Sequence, residues 1–201
     1  MTEFEVLGAQ EYCNTARGLR ALDAMAKAAP VSIVSVYTVN PGKYVIFITG
    51  DVASVEASVK AGKLSAGEDL VDELLLPNPH PLLVSALRET SGYDESGKGA
   101  TAADGRKDAS GMDAIGIIEN STIMAGIAAA DAAVKKADVS IVGFRMDSHM
   151  GGRSSVKLTG VLGDVEAAVA AGAAESERRN SLLRTVIIPR PHPDIAPFIR
   201  H

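Results

Sequence analysis

The sequence predicts an α+β protein made of two tandem copies of one βαββαβ unit. Three observations carry that reading. Residues 8–34 align without gaps on residues 116–142, with 12 of 27 positions identical, and residues 42–62 align on 152–172 with 9 of 21 identical. Self-similarity of this kind is the mark of a duplicated structural unit. Within each copy, β-branched runs that alternate apolar and polar residues are separated by longer runs with helical spacing. Between the copies, residues 89–112 are rich in Gly, Ser, Ala, Asp and Lys and show no hydrophobic periodicity, which reads as a solvated linker. The expected boundaries are 4–88 for the first domain and 113–201 for the second.

In the first copy, Phe4 to Ala9 alternates well enough for a strand. Asn14 or Thr15 is placed to cap a helix reaching about Ala29, with Leu19, Leu22, Met25 and Ala26 on its apolar face, and Pro30 ends it. Val31 to Tyr37 alternates strictly and is a strand. Asn40-Pro41-Gly42 is a turn signature. Tyr44 to Ile48 is almost wholly apolar, as expected of a strand covered on both faces. Gly50-Asp51 opens a second helix with a Val52, Val55, Val59 stripe, and Leu74 to Leu76 forms a last strand before Pro77. The second copy repeats the order: Ala114 to Ile118, a helix from Ser121 to Lys136, Val139 to Met146, Val156 to Gly160, a helix from Asp164, and Thr185 to Ile188. Strand, helix, strand, strand, helix, strand is the split βαβ, or ferredoxin-like, arrangement. It hosts many unrelated functions, so it names none.

Composition narrows the field. The 201 residues are 46% hydrophobic and 22% charged, enough to bury a core. Lys and Arg total 20 against 25 Asp and Glu, and aromatics are 4%, so neither a basic footprint nor a stacking platform for nucleic acid is present. The single cysteine, Cys13, closes no disulfide within the chain and supplies no four-thiolate metal site. The start, Met1-Thr2-Glu3-Phe4-Glu5, does not read as a signal peptide, and no run approaches the ~20 apolar residues of a membrane helix. The expectation is a soluble, cytoplasmic protein with no membrane or nucleic-acid partner.

Motifs for covalent chemistry are missing. There is no G-x-S-x-G elbow and no H-E-x-x-H, and the histidines at 80, 149, 192 and 201 lie far apart. Glu56 and Glu166 fall on outer helix faces, and Glu11 and Glu119 recur at a strand end, where either could cap a helix N-terminus. His80 and His192 each stand between prolines at the same place in both copies. A catalytic pair is conceivable there, but repetition of a structural turn is the favoured reading. The residues predict no enzyme, no cofactor and no resident metal.

Four ordered motifs nevertheless resemble a known family. They are Ala114 to Glu119, Ala129 to Val139, Gly160 to Gly172, and Val186-Ile187-Ile188-Pro189-Arg190-Pro191-His192, with echoes in Asp23 to Ala29 and Thr49 to Val52. Together they resemble the shell domain of bacterial microcompartments over nearly the whole of both halves. A chain with two such domains is similar to the tandem-domain class, closest in flavour to the trimeric shell protein of propanediol-type compartments. Pro41-Gly42-Lys43, Ser65 to Leu76 and Met150 to Arg153 carry that closer likeness.

The resemblance implies a homotrimer that mimics a hexamer, tiles with other shell proteins and passes small metabolites through a central opening. Three chains with two similar edges each close a ring with no open ends. It implies that Asn40, Pro41 and Gly42 of the first copy and Ser148, His149, Met150, Gly151 and Gly152 of the second line that pore. It makes Lys27 and Lys135 the edge lysines between neighbouring tiles, joined by Arg190, His80 and His192 of the Pro-x-Pro-His turn, with Asn78 in place of the arginine in copy one. The propanediol-type relative holds an iron–sulfur cluster through a cysteine whose place is taken here by Gly126, so no cluster is expected. Three copies of His149 around a pore could bind a metal or titrate near neutral pH. A tandem ferredoxin-like sensor that binds a small ligand between its domains is the alternative reading.

Overall fold

The computed structural model describes residues 5–91, 113–146 and 151–199, and in it every strand and helix of the duplicated pattern is present. The first copy runs β1 (Val6–Tyr12), α1 (Thr15–Ala28), β2 (Ser32–Val39), β3 (Lys43–Gly50), α2 (Val52–Ala66) and β4 (Leu70–Pro77), followed by α3 (Pro81–Ser91). The second runs β5 (Ala114–Asn120), α4 (Ile123–Lys136), β6 (Ser140–Arg145), β7 (Ser154–Gly160), α5 (Leu162–Arg178) and β8 (Leu182–Pro189), with a short α6 (Ala196–Ile199) after it. The linker expected at 89–112 lies outside the described residues from 92 on, and residues 89–91 continue α3.

Each copy makes a four-stranded antiparallel sheet, ordered β2-β3-β1-β4 and β6-β7-β5-β8, which is the ferredoxin-like order. The two sheets share their register. Glu11 lies opposite Val45 and Glu119 opposite Ser155; Val6 lies opposite Pro77 and Ala114 opposite Pro189. Counting along the strands, Lys43 and Arg153 hold equivalent places, as do Gly42 and Gly152, in agreement with the sequence alignment.

The chain divides into two compact units. Among the described residues, unit one holds 5–79, 122–124 and 151–152, and unit two holds 80–91, 113–121, 125–146 and 153–199. In unit one, α1 starts where the Asn14 side chain accepts the Arg17 N–H, and α2 where the Asp51 carboxylate accepts that of Ser54, each satisfying a donor the first helical turn leaves open. Both helices lean on β1, all seven residues of which are buried. The core gathers Tyr12, Met25, Ile46, Ile48, Val55 and Val59. Its buried polar groups pair with one another: Tyr12 Oη donates to Gln10 Oε1, and Gln10 Nε2 to the Val59 carbonyl at 2.8 Å. In unit two, α5 covers β5 and β8, α3 lies on β6, and Ile199 packs with Ile115 and Val142.

Several expectations need correction. Leu19 and Val52, expected on apolar helix faces, are 52% and 43% exposed; α1 buries Gly18 and Ala21 beside the expected Met25. The twins also differ. In α4 every residue from Ile123 to Asp131 is buried, whereas α1 buries three. Ile33 and Val34 of β2 are exposed, while their counterparts Ile141 and Val142 are buried.

Candidate pore loops and edge residues

The first candidate pore turn is closed by the Gly42 N–H, which donates to the Val39 carbonyl at 3.0 Å. Asn40 and Pro41 are exposed and joined by a cis peptide. Gly42 has φ +100°, and a side chain built there would meet no atom within 4 Å. Of the second turn, Ser148, His149 and Met150 lie outside the described residues. Gly151 is exposed with φ +62°, and Gly152 is buried with φ +75°. Within unit one the two turns are brought together by Lys43, which directly follows the first and donates Nζ to the Gly152 carbonyl at 3.2 Å. A Cβ on Gly152 would fall 2.6 Å from Lys43 Cε, so both its backbone angle and its neighbour demand glycine.

Lys43 also donates to Glu11, at 2.5 Å. The Glu11 side chain is fully buried, and its other oxygen accepts the Ile123 N–H at 2.9 Å. Glu11 therefore caps the first turn of α4, where the backbone donors are unpaired and negative charge is favoured. Next to it Thr122 Oγ1 donates to Asp72 at 2.6 Å. Burial pushes the Glu11 carboxyl above its ordinary 4.5, outweighing the hydrogen bond and charge of Lys43 that pull the other way. The repeated glutamate was visible in the sequence as a cap candidate. In the sequence Lys43 shows only as part of the Pro41-Gly42-Lys43 likeness, because its partners stand 32 and 109 positions away and no local pattern links them.

The edge candidates fall into matched pairs. Lys27 Nζ meets Asp23 at 2.7 Å with both side chains largely exposed, and Lys135 Nζ meets Asp131 at 2.6 Å with Asp131 almost wholly buried. In unit two the other Asp131 oxygen accepts the His80 N–H at 2.8 Å. Asn78 and Arg190 are both exposed and both left-handed, with φ 48° and 47°. Each N–H bonds back to the chain before its copy's first strand, Asn78 to Glu5 and Arg190 to Asp113. His80 Nδ1 accepts the Leu82 N–H and His192 Nδ1 that of Asp194, at 3.2 and 3.3 Å. Both histidines thus spend a ring nitrogen on the same local turn.

Gly126 has no room for a thiolate. A Cβ there would lie 2.1 Å from Ser154 Oγ and 2.7 Å from Ser154 Cβ. Cys13 is exposed, with Sγ 3.1 Å from an Asp69 oxygen. Among the described residues no group of three or more His, Cys, Asp or Glu side chains is placed to hold a metal ion. The residues present do not fit an iron–sulfur cluster at the Gly126 position.

Comparison with known proteins names the repeated domain. The BMC-domain family model matches residues 7–79 and again 114–191. The bacterial microcompartment shell protein PduT of Citrobacter freundii is 33% identical over 188 residues, covering 94% of each chain. The shell protein PduA of the same organism is 39% identical over 84 residues, 88% of its own length but 42% of this chain, as expected if one copy here corresponds to a whole single-domain relative. The crystal structure of a microcompartment protein from Desulfitobacterium hafniense DCB superposes with a TM-score of 0.75 at 38% identity, covering 96% of this chain and 98% of that one.

Proposed function

The chain belongs to the BMC-domain family, and from that premise we propose that three copies close into a ring with six-fold-like symmetry whose centre is lined by the 40–42 and 148–152 turns. The role is that of a microcompartment shell component: a tile that assembles with other shell proteins. Both halves match the family model, and a full-length relative is a named shell protein. The observation that carries the central opening is the Lys43–Gly152 hydrogen bond, which sets the two glycine turns side by side within unit one. At Gly42 and Gly151, small residues with left-handed backbone leave width and present peptide groups to whatever passes. Such a lining suits small polar metabolites.

Lys27 and Lys135 then stand at the tile's rim with Asn78, His80, Arg190 and His192, and carry lateral contacts to neighbouring tiles. The different residues at 78 and 190 give the two kinds of rim corner different contacts. The sensor alternative gains nothing from the relatives named above, which are shell or microcompartment proteins. The native mass of the purified chain in dilute solution tests the ring directly. Three times 20.8 kDa is expected, and a particle of one or two copies would refute both the ring and the pore.

A further inference from the structure

Two polar contacts in this chain are each formed once, although the repeat supplies the parts for each twice. The first is Glu11 with Lys43, closed by the Ile123 N–H and the Gly152 carbonyl. The repeat equates these with Glu119, Arg153, Thr15 and Gly42. That second set is open. Glu119 is half-buried, Arg153 is exposed, and neither pairs with another side chain among the described residues; nothing lies within 4 Å of a side chain built on Gly42. The second contact is the His80 N–H on Asp131, whose counterparts are His192 and Asp23. Asp23 is 63% exposed where Asp131 is 5%.

Apolar surface follows the same division. Leu19 on α1 is 52% exposed, and its twin Ile127 on α4 is fully buried. Ile33 and Val34 of β2 are open where Ile141 and Val142 are covered. In unit two α3 and Ile199 cover β6, and in unit one Leu19, Ile33 and Val34 remain apolar surface without such a cover.

We propose that the open parts close against a second copy of this chain: Glu119 accepts the partner's Thr15 N–H, Arg153 lies on the partner's Gly42 carbonyl, and Asp23 accepts the partner's His192 N–H. This rests on the ring proposed above and assigns the residues of its intermolecular joint. The chemistry is complementary, an acceptor meeting the unpaired donors of a helix N-terminus and a cation meeting a carbonyl. It repeats, group for group, contacts already formed inside the chain. The joint also places the partner's Gly42 turn against Arg153, next to the Gly151–Gly152 turn, so that turns from both copies alternate around the centre.

The test uses the full chain in two double variants, Glu119→Ala with Asp23→Ala, and Glu119→Gln with Asp23→Asn. Mass photometry across a dilution series reads the concentration at which the ring half-dissociates. The alanine pair is expected to raise it at least tenfold, since removing acceptors from a desolvated joint leaves donors unpaired, while the amide pair, which keeps an acceptor at each place, stays within about threefold of wild type. Hydrogen exchange gives a second readout. The amides of Thr15 and His192 are protected in the wild-type ring and exchange at least about tenfold faster in the alanine pair. A wild-type ring indifferent to the alanine pair in both measurements overturns this assignment and leaves the ring standing. A wild-type chain that never exceeds the mass of one copy overturns both.

Discussion

Replacing Gly126 by alanine tests the close approach of α4 to β7. The new Cβ would sit 2.1 Å from Ser154 Oγ and 2.7 Å from Ser154 Cβ, and Ser154 is itself fully buried. Real carbons do not approach that closely, so strand and helix must separate, and overpacking of this kind costs about 1–3 kcal/mol. Against it stands the helix propensity of alanine over glycine, worth ~1 kcal/mol in a helix interior. The net expectation is a loss of up to about 2 kcal/mol, and for a chain of this size a melting point lower by up to roughly 8 °C. Gly126→Cys, with a larger side chain on the same carbon, loses more. Gly163 provides the control: it lies in the first turn of α5 with nothing within 4 Å of its Cβ position, so Gly163→Ala is expected to be neutral or to gain up to ~1 kcal/mol. Thermal and urea unfolding followed by far-ultraviolet circular dichroism reads all three. If Gly126→Ala is as stable as Gly163→Ala, the tight contact does not exist, and position 126 has room for a thiolate after all.

Lys43→Met leaves Glu11 buried beside an apolar chain, and a loss of about 2–4 kcal/mol is expected at pH 7. The Glu11 carboxyl already binds its proton more tightly folded than unfolded, and loss of the lysine strengthens that preference. Its protonated form therefore favours the fold below its ordinary 4.5, and the variant's deficit grows as pH rises above that value. Equal deficits at pH 4.5 and pH 7, measured by urea unfolding, would contradict the buried pair. Lys27→Ala with Lys135→Ala is expected to abolish two-dimensional sheets in negative-stain electron microscopy while the native mass stays that of the ring. Sheets that persist would remove both lysines from the rim.

The repeat made the fold legible. Once residues 8–34 and 116–142 are aligned, each strand and helix is predicted twice, and the two predictions check each other. The side chains that face inward were less legible. Leu19 and Val52 fit apolar stripes by type and spacing, but α1 turns Gly18, Ala21 and Met25 inward and α2 turns Val55, Ser58, Val59, Gly62 and Ala66 inward, so the buried line passes beside both. The all-round burial of α4 was readable from a run with almost no polar residue between Ile123 and Ala130, a pattern that helices with one wet face do not show. α3 also left a signal: Pro81 at the first helical position and Leu83, Val84, Ala86 and Leu87 at helical spacing, all four of them buried. The Glu11–Lys43–Ile123 contact left almost none. Its members are joined only through the folded chain, across 32 and 112 positions, and a buried charge in a sequence looks like any other.

That Glu11 meets Ile123 inside one polypeptide has a consequence for how assembly responds to protein concentration. A contact between covalently joined segments forms at a fixed effective concentration, roughly millimolar for a short flexible tether, whatever the dilution. A ring built from six separate single-domain chains must gather all six from solution, and its yield scales with the sixth power of free subunit. A ring of tandem chains gathers three, so its yield follows the cube. For the ring proposed above, the fused chain would complete assembly at a concentration where separate halves remain scattered, and a dilution series comparing the intact chain with its two copies expressed apart would display that difference in steepness.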